Sequence, residues 1–365
     1  MVDLRCDGGG WRIGSPSVRG ITVIEILVGS ACTAFLVCIL CATGFCLRPT
    51  NGDSISMANL MEVGTAHALY SWDWGGLQWC GHNSDYGLAL GNCTTYLDTI
   101  GCPRQPILGW TASGSYYGYW ITGGLCAAFP SGGCYNWVTT VPNEFATTNG
   151  VFGAWRLMQT RSFRNYLNGR FYDEVFYAPN DARTYASASR NFQSSAEFAS
   201  TPMPVVWSSY GVSPAAMWHP DVLRSSEDGG FQSPSTFPEA FERQALFNAA
   251  YPELKSLVFE VNWNQQPPSS GQSLGSSVTP YRFNQGAASR PITLFYDGHV
   301  WYLSNKQAIN DDARLVGQGG SGLWSRDTPL GTNGYYADTS VDSSRTNHSV
   351  LTTDGILGRD LLVAP

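Results

Sequence analysis

Arg19-Gly20-Ile21-Thr22-Val23-Ile24-Glu25-Ile26-Leu27 opens an apolar stretch that continues to Leu47 without another charge. About 20 residues at 1.5 Å each cover a hydrocarbon core of roughly 30 Å, so residues 26–47 are long enough to span a bilayer as a helix. Glu25 stands at the outset of that span, where a carboxylate costs about 2.5–3.5 kcal/mol on insertion scales. A cleaved secretory signal has a shorter apolar core of about 7–15 residues and a small-residue site behind it. Here the small residue, Gly20, comes before the run. A plain signal anchor gives the acid no purpose. The residues therefore ask for a span in which one carboxylate has a partner.

Gly20 followed by Ile-Thr-Val-Ile-Glu-Ile-Leu resembles the prepilin N-terminus shared by type IV pilins and the pseudopilins of type II secretion. The resemblance implies a leader over residues 1–20, cleavage after Gly20 by a prepilin peptidase, and N-methylation of Ile21. It implies a helical spine that serves first as an anchor in the bacterial inner membrane and then as the core of an extracellular filament at the cell surface. Glu25 becomes the assembly residue, paired with the N-terminal ammonium of a neighbouring subunit. A buried carboxylate is tolerated when paired, and the pair sets register between otherwise featureless helices. The implied partners are other copies of the chain, the peptidase and the pilus or secretion machinery. Ile21 stands where the family most often has Phe or Met, and Asp3 and Asp7 lie among Arg5, Arg12 and Arg19 in a long leader. The Arg excess still favours a cytoplasmic N-terminus.

Around Leu47, Gly44, Pro49 and Asn51-Gly52 break the first helix. Asp53, Ser54 and Ser56 offer N-caps for a second, amphipathic helix over residues 54–74. Met57, Leu60, Met61, Gly64 and Ala68 recur at helical spacing and predict its packed face. Asn59-Leu60-Met61 through Ala68-Leu69-Tyr70 is similar to a stretch in a planctomycete-type pseudopilin-like subfamily with a C-terminal His-x9-Asp-Gly motif. Further similarities lie in Phe176-Tyr177-Ala178-Pro179-Asn180-Asp181 and in Ser208-Ser209-Tyr210-Gly211-Val212. Leu294-Phe295-Tyr296-Asp297-Gly298-His299-Val300 resembles the closing motif. Ser213 stands where that subfamily has Asn, and Ala287 where it has His.

Asp297-Gly298 also has a reading of its own. Residues 292–296 and 299–303 are rich in β-branched and aromatic types, and Asp-Gly between such runs signals a hairpin. His299 is then a residue flanking a turn. Further strands are expected at 175–177, 205–208 and 257–263. The resulting fold class is α+β, pilin-like, with the N-terminal helix on an antiparallel sheet. Its expected parts are the spine (21–74), an aromatic, glycine- and cysteine-rich insertion (75–157), a sheet-bearing region (158–304) and polar C-terminal loops (305–365).

Charged residues make up 13%, about half of what soluble domains carry, and Lys255 and Lys306 are the two lysines. With 13 Trp, 18 Tyr and 17 Phe, such a chain suits packing against copies of itself. A formal charge of −7 and the lack of any basic run exclude a nucleic-acid binder. Rings concentrate between Tyr70 and Trp155, where Trp72, Trp74, Trp79, Trp110, Tyr116, Tyr117, Tyr119, Trp120, Tyr135 and Trp137 could fill a core, form an interface or stack sugars.

Cys32, Cys38, Cys41 and Cys46 lie in or beside the apolar helix, and Cys6 in the leader. Cys80, Cys93, Cys102, Cys126 and Cys134 cluster in the insertion without zinc spacing, so disulfides are expected. Cys126 and Cys134 flank a short loop that a bridge between them would close. Two of Cys80, Cys93 and Cys102 would then pair, leaving one for Cys46 or for a neighbouring subunit. Asp338 and Asp342 lack calcium-loop spacing and read as solvated loop. Asn347-His348-Ser349 fits a glycosylation acceptor by pattern. His67, His82, His219, His299 and His348 are scattered, and no hydrolase, phosphate-binding or dinucleotide motif occurs. No catalytic residue, metal or cofactor is expected. The sequence thus reads as a filament subunit, with a type II secretion pseudopilin and a membrane-anchored glycan-binding surface protein as alternatives.

Overall fold

Ser56, Leu60, Val63, His67 and Tyr70 succeed one another at steps of three and four, and they form the buried stripe of helix α1, Gly52–Asp73. The computed structural model describes residues 52–129, 132–145, 153–199, 205–261, 289–332, 334 and 347–365. The leader, Gly20, Ile21, Glu25, the apolar run to Leu47 and the acids Asp338 and Asp342 lie outside the described residues. Among the described residues no helix is long and apolar enough to cross a membrane. The fold reported is that of the unit Thr50–Pro365.

Helix α1 ends where Gly75 and Gly76 turn left-handed at φ +65° and +91°, a conformation that costs glycine little. Its packed face is rotated from the expected one. Met61 and Ala68 point outward, while the polar Ser56 and His67 point inward. Ser56 turns inward to the Tyr210 hydroxyl and the Glu260 carboxylate, and His67 packs its ring against Phe163.

That inner side lies on a four-stranded antiparallel sheet, β3 Tyr210–Val212, β4 Ser256–Glu260, β5 Ile292–Phe295 and β6 Val300–Tyr302, in the order β3-β4-β5-β6. The register aligns Val212, Val258, Leu294 and Val300 across the strands. Leu294 reaches Gly64 of α1, where an added Cβ would stand 3.1 Å from it. On the opposite side Phe259 stacks on Trp155, with ring centroids 5.9 Å apart. Gly211 of β3 lies so flat against Trp155 that a Cβ would come within 2.6 Å of its ring. Covered on both faces, β4 and β5 are buried throughout. The Asp297-Gly298 turn joins β5 to β6 as the sequence predicts, with Gly298 at φ +89° and its N–H donating to Phe295 O. The general α+β class therefore holds.

Two expected strands are absent. Residues 174–176 form a 3₁₀ turn, because Asp173 Oδ1 accepts the Val175 N–H and closes the chain locally. Residues 205–208 are irregular: Ser208 Oγ donates to Phe176 O and accepts from Tyr210 N, replacing ladder bonds until β3 begins.

The aromatic segment holds helix α2, Cys93–Thr99, and a hairpin of β1 Ile107–Trp110 with β2 Tyr116–Gly118. Its Trp79, Tyr86, Leu108 and Trp137 belong to the same apolar cluster as the sheet. Disulfides join Cys93 to Cys134 and Cys102 to Cys126, with Cα atoms 5.7 and 4.5 Å apart. This corrects the expected Cys126–Cys134 bridge: proximity along the chain does not decide pairing once α2 folds back on the following turns. Cys80 remains a buried free thiol, and Cys46 lies outside the described residues. The Cys102–Cys126 loop of 24 residues sits inside the Cys93–Cys134 loop of 41. Reduction is expected to cost about 3–4 kcal/mol for the outer loop and less than that again for the nested one. A drop in Tm on adding reductant checks this, and Cys80→Ser should not change the size of the drop.

The chain continues through the short helices α3 Arg161–Arg164, α4 Ala182–Ala188 and α5 Pro214–Met217. The C-terminal region is not the set of polar loops expected. Helix α6, Asn305–Gly317, is capped by Ser304, whose Oγ accepts the Gln307 N–H. Val350, Leu351, Ile356 and Leu361 are buried, and they carry Asn347, His348 and Ser349 inside with them. Asn347 is 1% exposed, so the folded unit does not offer it for glycosylation.

Candidate functional site

Three of the segments singled out in the sequence, 59–70, 176–181 and 208–212, meet at the first half of α1. Asn180 Nδ2 donates to Asp53 Oδ1, and Asn59 Nδ2 donates to the carbonyls of Glu174 and Tyr177. Ser209 Oγ donates to Asp181 Oδ2, and Asp181 also caps α4. Tyr210 Oη lies 2.9 Å from Ser56 Oγ. Ser56 Oγ donates to Glu260 Oε1 at 2.5 Å, and the other Glu260 oxygen accepts the Ile292 N–H at 2.9 Å. Tyr302 Oη, on the far strand, donates to Asp53 Oδ2 at 2.7 Å. A buried carboxylate needs donors, and these bonds fix the helix in rotation and register on β3, β4 and β6. Burial pushes the Tyr210 hydroxyl well above its ordinary pKa, so it stays a neutral hydrogen-bonding group.

A second buried polar group ties down the C-terminal segment. Asp360 and Lys255, just before β4, are both fully buried, with the ammonium 3.3 Å from each carboxylate oxygen. Asp360 also accepts from Ser256 N, Ser256 Oγ, Ser349 N and Thr352 Oγ1. Burial pulls Lys255 below its usual range although Asp360 pushes it back up. Burial alone would raise Asp360, yet Lys255, His348 and the donors hold it near 2. The two shifts differ in what they say about the pair's strength. The carboxylate, with its full set of donors, is the better guide: the pair is ionised at neutral pH.

At the other end of α1, Arg243 donates from Nη2 to Tyr70 Oη at 2.6 Å and from Nε to Cys80 Sγ at 3.1 Å. Burial raises the Cys80 thiol's pKa against the pull of Arg243, so it is not an activated nucleophile. Arg104 and Arg243 each lie 5.2 Å from the centroid of Trp74.

The predicted hairpin residues are at the surface. His299 Nδ1 contacts Asp297 Oδ1 at 2.6 Å, and its ring stacks on Phe295. The Asp297 carboxylate also accepts the His299 N–H, so the pair closes the turn. Among the described residues no group of three or more His, Cys, Asp or Glu is placed to hold a metal ion. The predicted processing and assembly residues, Gly20, Ile21 and Glu25, fall outside the described residues. The sequence pattern missed the outward side of α1. Met61, Leu69 and Trp72 fall at helical spacing there, and Trp72 is 88% exposed. Their signal was present as a second apolar periodicity beside the buried stripe.

Compared with protein-family models, curated proteins and solved structures, the chain matches none.

Proposed function

We propose that the chain is the structural subunit of an extracellular filament of the type IV pilus kind, processed after Gly20 and assembled through its N-terminal helix. The observation that carries this reading is α1. One side of the helix is buried through Leu60, Val63 and Tyr70 and bonded to its own sheet through Asp53 and Ser56, while Met61, Leu69 and Trp72 remain outside. A helix with apolar residues on two sides has one side left for another molecule. It directly follows, in sequence, the residues that resemble a prepilin N-terminus. A helix laid on a four-stranded antiparallel sheet also suits a head carried on a helical spine. The scarcity of lysine and of charge favours a surface that repeats against itself.

Glu25→Ala separates assembly from processing. Filaments in sheared cell-surface material should disappear under the electron microscope, while the mature chain, shortened at Gly20, still accumulates in the membrane. Filaments at the normal level in that variant would defeat the proposal. Fibres that stay within the cell envelope in the unmodified strain would favour the secretion pseudopilin instead.

A further inference from the structure

Beside the β1–β2 hairpin lies a cavity of about 330 Å³, lined among others by Arg104, Gln105, Tyr116, Phe129, Arg161 and Asn165. That volume is typical of a small-molecule site. Most of its polar groups already have partners. Gln105 Nε2 donates to Pro103 O and its Oε1 accepts the Ile121 N–H, while Arg161 Nε binds Glu197 at 2.9 Å. Two groups differ. Among the described residues, neither the Arg104 guanidinium nor the Asn165 carboxamide has a hydrogen-bond or ion-pair partner. The Arg104 guanidinium rests over the Trp74 ring, 5.2 Å from its centroid. One wall therefore presents a free planar cation and a free amide.

The other wall is aromatic and runs outward. Tyr116 stacks on Trp110 at 4.8 Å and meets Trp120 edge-on at 4.7 Å, and Trp120 stacks on Phe129 at 5.2 Å. Trp110, at the outer end, is 44% exposed. Such mutually braced rings keep their faces in place without help from the ligand, which lowers the cost of ordering. The field is positive in a chain of net negative charge. Arg104, Arg161, Arg164 and Arg243 gather here, whereas the carboxylates nearby are Glu197, bound to Arg161 and Arg164, and Asp73, which accepts from Tyr166.

We infer that this cavity binds an acidic saccharide. A sugar ring offers a C–H face to Tyr116 and hydroxyls to Asn165. A ring carboxylate matches the fork of Arg104 with two parallel N–H···O bonds, which lysine could not reproduce. A neutral sugar would leave the guanidinium unused. A nucleotide would want a nest of backbone N–H groups for its phosphates, and none of the groups named here supplies one. The site is independent of polymerisation, since every residue in it belongs to one chain.

The test is calorimetric titration of the full chain, in a detergent free of sugar, with tri-galacturonic acid, cellotriose and adenosine monophosphate. Tri-galacturonic acid should bind saturably, with cellotriose weaker by about tenfold or more. Arg104→Ala and Tyr116→Ala should each weaken the acid by about tenfold, and Arg104→Lys should recover only part of the loss. Asn165→Ala, which removes a side chain without a partner, should weaken it with the near-ultraviolet dichroism unchanged, and it keeps the test readable if another variant misfolds. No saturable binding, tighter binding of the nucleotide, or binding indifferent to Arg104 and Asn165 overturns the inference. None of these results bears on whether filaments form.

Discussion

Asp360→Asn is expected to lower the unfolding free energy of the folded unit by about 3–5 kcal/mol, with a fall in Tm on the order of 10 °C. The substitution leaves the Lys255 ammonium buried without its counter-charge. It also places an amide N–H₂ among groups that can only donate to it: the backbone N–H groups of Ser256 and Ser349, and the Lys255 ammonium. Lys255→Met should cost less, because Asp360 keeps its hydroxyl and amide donors. In many proteins a buried pair can be exchanged for apolar residues at little cost. Here the double variant Lys255→Met with Asp360→Leu should stay destabilised, since the amides of Ser256 and Ser349 lose their acceptor. Urea unfolding of the three variants measures this ordering. Asp360→Asn within 1 kcal/mol of the unmodified protein would mean that water enters the site and the pair is not held as described. The Asp360 carboxyl is held near 2 against an ordinary 3.8. Its contribution is therefore complete above 3.8 and fades as the pH falls through 2.

Acid should act on this protein well before that carboxylate titrates. Burial holds the His67 and His82 rings near a pKa of 3 and His348 near 4, against 6.5 when exposed. Below 6.5 the unfolded chain takes up three protons that the folded one refuses, so stability rises with pH in this window and is lost as the pH falls from 6.5. At pH 5 each histidine accounts for about 2 kcal/mol, and the three together for a sum comparable to the whole stability of a typical domain. His67 is the clearest case: it packs against Phe163 with ring centroids 4.4 Å apart and planes inclined by 50°, and neither ring nitrogen has a hydrogen-bond partner among the described residues. Urea midpoints at pH 7 and pH 5 should differ strongly, and His67→Leu should remove about a third of the difference. Equal midpoints at the two pH values would show that the rings reach solvent.

The parts of the fold legible in the sequence are those governed by local rules. The β5–β6 hairpin follows from Asp297-Gly298, and α1 follows from its breakers and its periodicity. What was illegible depends on partners distant in the chain. Ser56 read as an N-cap and His67 had no place on the packed face because nothing nearby in sequence reveals Glu260 or Phe163. Met61 read as inward for the complementary reason. Asn347, His348, Ser349 and Asp360 carry every mark of a surface loop, yet their burial follows from Lys255, more than ninety residues earlier. The short 3₁₀ turns of the middle region have no periodicity to detect, and residues 175–177 passed for a strand on a β-branched valine followed by two aromatic residues. For the cavity, the rings were visible, but Arg104 and Asn165 were not distinguishable from other polar residues until their lack of partners could be seen.

The bond from Tyr302 to Asp53 joins residues 249 apart, and that from Ser56 to Glu260 residues 204 apart. A ribosome adding about 5–20 residues per second takes roughly 10–50 s to go from the first of these positions to the last. Throughout that delay α1 exists without the sheet that covers it, with apolar side chains on both of its sides in the open. Its long-range bonds also place this chain among the slow folders. The nascent protein therefore has a built-in interval in which a chaperone or a lipid surface can hold it, and premature self-association has to be suppressed by timing rather than by the finished fold.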